Sequence, residues 1–295
     1  AQSLAPMLEQ ETGVPVLGYL PHMPEAAFES RHLGLYTAAE IDGLAARIGA
    51  LAAQLEQSVD MPRLLALCGR RTADGTGRER KAPARKQAAR IAVARDEAFC
   101  FAYAETLESL RDAGAELVFF SPVHDAALPG GAGGLYLPGG YPENRARQLS
   151  AAKNVMNSIK DYIERGGYTL AECGGMMYLT SVLITGTDTH MEYNMAGVLP
   201  VKVSAFKGDM HLSLGYRSFE LRGMKIRGHE FHYSQVIESD EELISAAQVY
   251  NAKGQPVNTP VYHYKNLIAS YTHLYWGETG FMGLFEPAPG DPVLF

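Results

Sequence analysis

A cysteine stands where an apolar strand pattern meets a helical pattern. In the run YTLAECGGMMYL (168–179), Cys173 follows the apolar residues and is followed by Gly174 and Gly175. A nucleophile on a sharp strand-to-helix turn needs small neighbours, because the backbone there is strained. The first N–H groups of the helix also favour a thiolate over a thiol. The pattern predicts a nucleophilic cysteine, and the alternative is a small buried apolar residue.

A second glycine pair also follows a strand pattern directly. It lies in LYLPGGYPE (135–143), where Gly139 and Gly140 would leave bare backbone N–H groups free to face a ligand. Such groups form the oxyanion hole that acyl-transfer chemistry requires. A simple turn is the alternative, since Gly-Gly and Tyr-Pro are both turn formers.

A thiol nucleophile needs a base, and three of the nine histidines are candidates. His273 lies in IASYTHLYW (268–276), after a strand pattern late in the chain, whereas His229 and His232 lie in RGHEFHYS (227–234). The residues alone leave the choice open. Glu230 is the candidate for orienting a histidine, and the segment around it either holds a substrate or forms a strand whose polar residues bond one another.

The elements that would position these residues alternate between strand and helix. Strand patterns cover 91–94, 115–120, 134–137 and 168–172, and helical patterns cover 103–113 and 151–165. This alternation predicts an α/β fold with a parallel sheet, in which ligands bind beyond the carboxyl ends of the strands. Both glycine pairs fall at such ends. From about residue 194 we expect mostly antiparallel strands that extend one side of the sheet.

The first third of the chain has a different character. Residues 14–20 predict one buried strand, and residues 37–55 predict a helix with Thr37 as N-cap and Glu40 as its capping-box partner. One strand and one helix do not close a core, so residues 1–65 are interpreted as the tail of a larger α/β domain. Residues 66–89 are rich in arginine and lysine and predict an exposed linker, with an anion-binding loop as the alternative.

Composition excludes several classes of protein. The 295 residues carry a formal net charge of -7, which argues against a nucleic-acid partner. No apolar run reaches the length of a membrane span, so no membrane partner is expected. The three cysteines are widely spaced without a metal-ligand pattern, so we expect no metal, no disulfide framework and a reducing, cytoplasmic setting.

Several long runs together resemble a known family, the cobyrinic acid a,c-diamide synthases, in their C-terminal class I glutamine amidotransferase half. The matching runs lie between residues 88 and 285: RIAVARDEAFCFAYAETLESLRDAGAELVFFSP, GLYLPGGYPE, AECGGMMYL, MAGVLP, LGYRSFEL, RGHEFHYS and SYTHLYW. The resemblance implies a flavodoxin-like class I glutamine amidotransferase sheet over residues 90–295. It also implies that residues 1–65 are the C-terminal remnant of an ATP-dependent synthetase domain with a P-loop-type α/β fold.

The resemblance assigns roles to individual residues. Cys173 matches the nucleophile, His273 the base, and Gly140 with Gly174 the region of the oxyanion hole. Many cysteine amidotransferases carry a glutamate two residues after the base, but that position here is Tyr275. A Cys-His dyad is therefore expected, with an unnamed residue orienting His273.

The implied reaction is glutamine-dependent a,c-diamidation of a corrinoid precursor, cobyrinate or hydrogenobyrinate, with this chain releasing ammonia from glutamine. ATP and Mg²⁺ would act through the synthetase part, upstream or on another chain, because the sequence contains no GxxxxGK[ST] motif. No cofactor is expected on the amidotransferase domain, and a homodimer is left open. The alternatives are a nickel-sirohydrochlorin a,c-diamide synthase and a stand-alone cysteine γ-glutamyl hydrolase.

Overall fold

The computed structural model describes residues 4–28, 38–69, 89–276 and 281–285. The four strands predicted between residues 91 and 172 belong to one six-stranded sheet. The chain divides into two compact units, Ala1–Glu79 and Arg80–Phe295. The strands of the second unit are β1 (Arg90–Ala94), β2 (Glu116–Phe120), β3 (Gly134–Leu137), β4 (Thr169–Glu172), β5 (Thr180–Thr185), β6 (Met191–Asn194), β7 (Leu199–Ser204), β8 (Ser213–Leu221), β9 (Met224–His232), β10 (Gln235–Ser239), β11 (Val249–Asn251), β12 (Pro256–Val257), β13 (Val261–Tyr264), β14 (Leu267–Ser270) and β15 (His273–Leu274).

The central sheet has the order β13-β14-β4-β3-β1-β2. All neighbouring strands in it are parallel except β13, which pairs antiparallel with β14 at one edge. The register sets Leu137 opposite Ala171 and Ser270 opposite Glu172. The carboxyl ends of β3, β4 and β14 therefore meet at one edge of the sheet, which confirms the predicted α/β class and parallel sheet.

The helices of the chain are α1 (Ala5–Thr12), α2 (Leu44–Ser58), α3 (Met61–Cys68), α4 (Ala104–Asp112), α5 (Ala146–Ala151), α6 (Lys153–Glu164) and α7 (Gly174–Leu179). Side chains of the central strands alternate between two apolar clusters, one on each face of the sheet. Leu137 and Ala171 belong to the cluster that α6 and α7 cover, whereas Tyr136 and Leu170 belong to the other. Both faces are buried, as a parallel sheet requires.

The strands after residue 180 do not all extend the central sheet, so that part of the sequence prediction is wrong. Only β13 and β14 join it, while the others form a four-stranded sheet, β10-β7-β5-β6, and a five-stranded sheet, β12-β11-β8-β9-β15. Most pairings in these two sheets are antiparallel, as expected, although β5 and β7 are parallel. The alternation of apolar residues predicts that a segment forms a strand, but it does not predict which sheet the strand joins.

The first unit differs from its prediction in two places. Residues 14–20 do not form a buried strand: they contribute an isolated bridge between Gly18 and Val59, and Val14 is 62% exposed. A strand needs a neighbour to bond to, and the described part of this unit offers only that bridge. The predicted helix begins at Leu44, after Gly43 in a left-handed conformation, instead of near residue 37. Thr37 and residues 70–88 of the basic segment lie outside the described residues.

Within the described part of the chain, no helix combines the length and the apolar character needed to cross a bilayer.

Helix α6 offers a direct test of the core beneath the site. Ile159 is fully buried in the cluster that also contains residues of α7, whereas Asn157 on the same helix is exposed. We expect Ile159→Ala to lower the free energy of unfolding by about 2–5 kcal/mol, because it removes buried methyl groups and leaves a cavity. Asn157→Ala is the matched control and should change it by less than about 0.5 kcal/mol. Equal effects in urea titrations would contradict the packing described.

Candidate active site

Cys173 sits on a strained turn between β4 and α7. Its backbone has φ 47° and ψ −105°, a conformation that non-glycine residues rarely adopt. Two bonds hold it there: its N–H donates to Ser270 O at 2.8 Å, and its carbonyl accepts from Met177 N at 3.0 Å. Strain that the surrounding structure over-determines is typical of functional positions.

The glycines after Cys173 are required by close backbone approach. A Cβ on Gly175 would overlap the carbonyl oxygen of Leu137 at the end of β3. A Cβ on Gly174 would lie 3.0 Å from both the nitrogen and the oxygen of Gly140. The turn that carries Cys173 and the Gly139–Gly140 turn therefore pack backbone against backbone, which a larger side chain at either glycine would prevent.

The Gly139–Gly140 turn also contacts His273. A Cβ on Gly139 would overlap Cε1 of the His273 imidazole, and a Cβ on Gly140 would overlap the carbonyl oxygen of Ala98. One glycine of the pair thus faces the turn of Cys173 and the other faces the His273 ring. The structure brings Cys173, Gly139, Gly140, Gly174 and His273 together at the carboxyl edge of the central sheet.

His273 is a buried histidine, with 4% of its surface exposed. Its ring stacks on His229 at 5.0 Å between centroids, and the ring of Phe101 meets it edge-on at 4.8 Å. Its Nδ1 atom has no hydrogen-bond partner among the described residues. Burial, followed by the neighbouring imidazoles of His229 and His232, lowers the pKa of His273 to about 3. The imidazole is therefore neutral at physiological pH.

The Cys173 thiol is protonated in the resting site. Burial, and next the Glu143 carboxylate, raises the pKa of Cys173 well above its ordinary value, although the backbone N–H of Gly174 opposes this. The N–H of Gly174 at the start of α7 favours the thiolate, in the direction that the sequence predicts, but burial outweighs it and the net shift of the Cys173 pKa is upward. The thiol of Cys173 and the imidazole of His273 are both uncharged at physiological pH.

The residues of the 227–234 segment divide between the two faces of β9. His229 lies on the face of His273, and its ring nitrogens lie 3.3 and 3.5 Å from the hydroxyl of Tyr103. Glu230 and His232 belong to a different group of contacts. The Glu230 carboxylate accepts hydrogen bonds from Arg217 and Ser213, both at 2.9 Å, and from Thr272 at 3.4 Å.

His232 stacks on Tyr271 at 3.8 Å, and its Nδ1–H donates to Ser234 O at 2.9 Å. Glu230 and His232 therefore support the segment around the site, while the hydrogen bonds of Glu230 go to groups other than the His273 ring.

Glu172 is a site residue that sequence reasoning missed. Its carboxylate is buried next to Cys173 and accepts hydrogen bonds from Tyr136 Oη at 2.8 Å, from Leu274 N at 3.2 Å and from Trp276 Nε1 at 3.4 Å. Burial raises the pKa of Glu172 to about 7, although these three donors oppose the shift. The available signal was a charged residue at the end of an otherwise apolar buried strand.

Two cavities adjoin these residues. One, of about 390 Å³, is lined by His273, His229, Tyr103, Arg227 and neighbouring residues. The other, of about 570 Å³, is lined by polar groups that include Arg217, His232, Ser234 and Tyr271. Among the described residues, no group of three or more histidines, cysteines and acidic residues could hold a metal ion.

Comparison with known proteins connects this geometry to a family. Residues 90–281 match the model of the CobB/CobQ-like glutamine amidotransferase domain. Cobyrinate a,c-diamide synthase of Dehalococcoides mccartyi is 38% identical over 285 residues, which cover 92% of this chain and 60% of that protein. Hydrogenobyrinate a,c-diamide synthase of Brucella abortus is 36% identical over 278 residues, 92% of this chain and 61% of that protein.

This chain therefore spans about 60% of the length of the curated relatives it matches. Among solved structures, a crystal structure of a glutamine amidotransferase is 20% identical with a TM-score of 0.46, covering 66% of this chain and 98% of that one.

The contact between Gly139 and His273 predicts a specific effect on Cys173. Gly139→Ala would push the imidazole away from its position. If His273 is the group that accepts the thiol proton, iodoacetamide should then alkylate Cys173 about tenfold more slowly. Gly133→Ala is the matched control, since its new methyl group would make only ordinary contacts. Peptide mass spectrometry measures the rate, with Cys68 and Cys100 as internal references. An unchanged rate at Cys173 would contradict the arrangement.

The buried ion pair of Glu230 predicts a pH-dependent stability. Burial favours the neutral acid, but hydrogen bonds from His232, Thr259 and Ser213 and the charge of Arg217 together lower the pKa of Glu230 to about 2. A lowered carboxyl pKa contributes stability above its ordinary value of 4.5, and this is lost as the pH falls toward 2.

Glu230→Gln should therefore be less stable than the native chain at pH 6 by an amount on the order of 2–3 kcal/mol, and the difference should shrink at pH 3. Glu238→Gln, in the exposed pair with Lys202, is the control and should have little effect at either pH. A Glu230→Gln difference that stays constant with pH in urea titrations would contradict the ion pair.

Proposed function

Because the chain belongs to the CobB/CobQ-like glutamine amidotransferase family, we propose that it releases ammonia from glutamine for the a,c-diamidation of a corrinoid precursor. The observation that carries this proposal is the contact between the Cys173 turn and the Gly139–Gly140 turn, with the His273 imidazole against Gly139. This arrangement combines a nucleophile, a base and bare backbone N–H groups at one sheet edge.

Cys173 is the proposed nucleophile and His273 the proposed base. Since both groups are neutral at rest, the thiol proton passes to His273 as sulfur attacks the side-chain amide of glutamine. Thiolate and imidazolium thus form together and stabilise each other. The strained backbone of Cys173 at the turn from β4 into α7 supports this role, because a strand-to-helix turn of this kind is typical of a nucleophile.

Backbone N–H groups then stabilise the charge that develops on the amide oxygen. We assign Gly140 and Gly174 to this oxyanion hole, with Gly139 shaping the same turn, because their backbones lie within contact distance at the nucleophile. His273 returns its proton to the departing ammonia, which leaves a γ-glutamyl thioester on Cys173. Water attacks that thioester with His273 again as base, and glutamate is released.

The remaining histidine-segment residues have supporting roles in this proposal. His229 holds the His273 ring by stacking and is itself fixed by Tyr103. His232 lines the larger cavity with Arg217 and Tyr271, where the polar end of a substrate would find donors and acceptors. Glu230 pairs with Arg217 and so fixes one side chain of that cavity.

ATP and Mg²⁺ enter the proposal only through a further part of the enzyme. The sequence has no GxxxxGK[ST] motif, and the described residues offer no metal-ligand cluster, so the residues in hand do not fit a nucleotide site. Two observations support an additional part. The relatives are longer than this chain, and they match it both before and after Arg90. We propose that residues 1–65 are the end of that synthetase part and that residues 66–89 link it to the amidotransferase domain.

The substrate class follows from the relatives' names, which include both cobyrinate and hydrogenobyrinate. We therefore propose a corrinoid a,c-dicarboxylate as the acceptor of ammonia, and glutamine as its donor. A cytoplasmic setting and a homodimer stay predictions.

Covalent trapping tests the proposed site directly. A diazo-ketone analogue of glutamine should form an adduct on Cys173, and excess glutamine should protect against it. Cys173→Ser should abolish the adduct, while His273→Ala should slow its formation by about 10²-fold or more, because the proton transfer loses its partner. Peptide mass spectrometry locates the adduct. Equal labelling of Cys68 and Cys100, or no labelling, would contradict the proposal.

A second comparison distinguishes this function from a stand-alone γ-glutamyl hydrolase. With an ATP-dependent synthetase part supplied, glutamine hydrolysis should rise on addition of corrinoid and ATP. A hydrolysis rate indifferent to both would favour the stand-alone enzyme.

A further inference from the structure

A buried carboxylate links the strand of the proposed nucleophile to the segment of the proposed base. We propose that Glu172 is a positioning residue, which fixes His273 relative to Cys173 by accepting hydrogen bonds from Leu274 and Trp276. This inference rests on the proposed function and adds to it a residue that fixes the position of His273 relative to Cys173.

His273 lies between two attachments to β4 and its turn. On one side, Cys173 N–H donates to Ser270 O at 2.8 Å. On the other side, Leu274 N–H donates to Glu172 Oε1 at 3.2 Å. The two consecutive residues 172 and 173 therefore hold the chain on both sides of the base, and a shift of either attachment would change the distance between sulfur and imidazole.

Burial of the Glu172 carboxylate would be energetically unfavourable without its hydrogen bonds. Glu172 shares a strand face with Leu170 and lies among Tyr136, Ile268 and Trp276 of an apolar cluster. Burying a carboxylate costs several kcal/mol unless hydrogen bonds compensate. Here the compensating donors come from a neighbouring strand and from the base segment itself, so the cost of burial is offset by bonds that order that segment.

The His273 ring lacks the carboxylate partner that would otherwise orient it. Its Nδ1 is without a partner among the described residues, and the side chain two positions later, Tyr275, is 52% exposed. Stacking on His229 and the edge contact with Phe101 restrict the ring, and the pairing of β15 with β9 restricts the backbone from one side. Glu172 restrains the same backbone from β4, the strand of Cys173, one residue beyond the base.

The test compares glutamine with a γ-glutamyl aryl ester as acyl donors to Cys173. Only glutamine needs a proton delivered to its leaving group, so a displaced His273 should lower the ratio of the two acylation rates. Glu172→Met removes the acceptor at similar volume and should lower this ratio at least about tenfold, in the direction of His273→Ala. Glu172→Gln keeps an oxygen that accepts from Leu274 and Trp276, so it should stay within about threefold of the native ratio.

Thr169→Val is the matched control. Thr169 is buried on the same strand and donates to Gly167 O at 3.1 Å, so the variant loses a buried hydrogen bond without touching Glu172. Its ratio should equal the native one even where its unfolding midpoint falls. If Glu172→Met does not fold, Trp276→Phe, which removes one of the two donors, should still lower the ratio by about threefold.

A native ratio in Glu172→Met, or in Trp276→Phe where Glu172→Met is unfolded, would overturn the assignment. So would an equal loss in Thr169→Val. These results differ from failure of the proposed function, in which the native chain itself would form no Cys173 adduct with the diazo-ketone.

Discussion

The site depends on the parallel pairing of β3, β4 and β14. Because these three neighbours run in the same direction, the segments that follow them leave the sheet at a single edge. Those segments carry the glycine turn, the cysteine and the histidine. Residues more than a hundred positions apart in the chain thereby become neighbours. The hydrogen bonds that pair the strands also fix where each of these residues lies along the edge.

At that edge, the narrow space between backbone segments limits the size of the side chains. Gly140, Gly174 and Gly175 each meet another main chain so closely that a methyl group would overlap it or force it to move. One main-chain N–H group, that of Gly174, lies within hydrogen-bonding reach of the Cys173 sulfur. The glycines therefore serve packing and chemistry through one physical property, the absence of Cβ.

Local patterns in the sequence predicted these elements well where the signal was local. Strand β3 has the predicted bounds, and β1, β2, β4 and α4 differ from prediction by one residue at their ends. Local patterns failed where distant residues decide. Which sheet β5 or β8 joins is set by pairing, and residues 14–20 did not form a strand without a neighbour. Glu172 was missed for the same reason, since its partners Tyr136 and Leu274 lie 36 and 102 positions away.

The uncharged resting pair has a consequence for the chemical durability of the protein. Oxidants and alkylating agents attack thiolates that they can reach, whereas Cys173 is 5% exposed and burial raises the pKa of its thiol. Cys68, by contrast, is exposed. Adventitious damage therefore falls first on a cysteine in the other unit, which the amidotransferase chemistry does not use. The burial that makes Cys173 harder to deprotonate also protects the proposed nucleophile from such reagents while no substrate is bound.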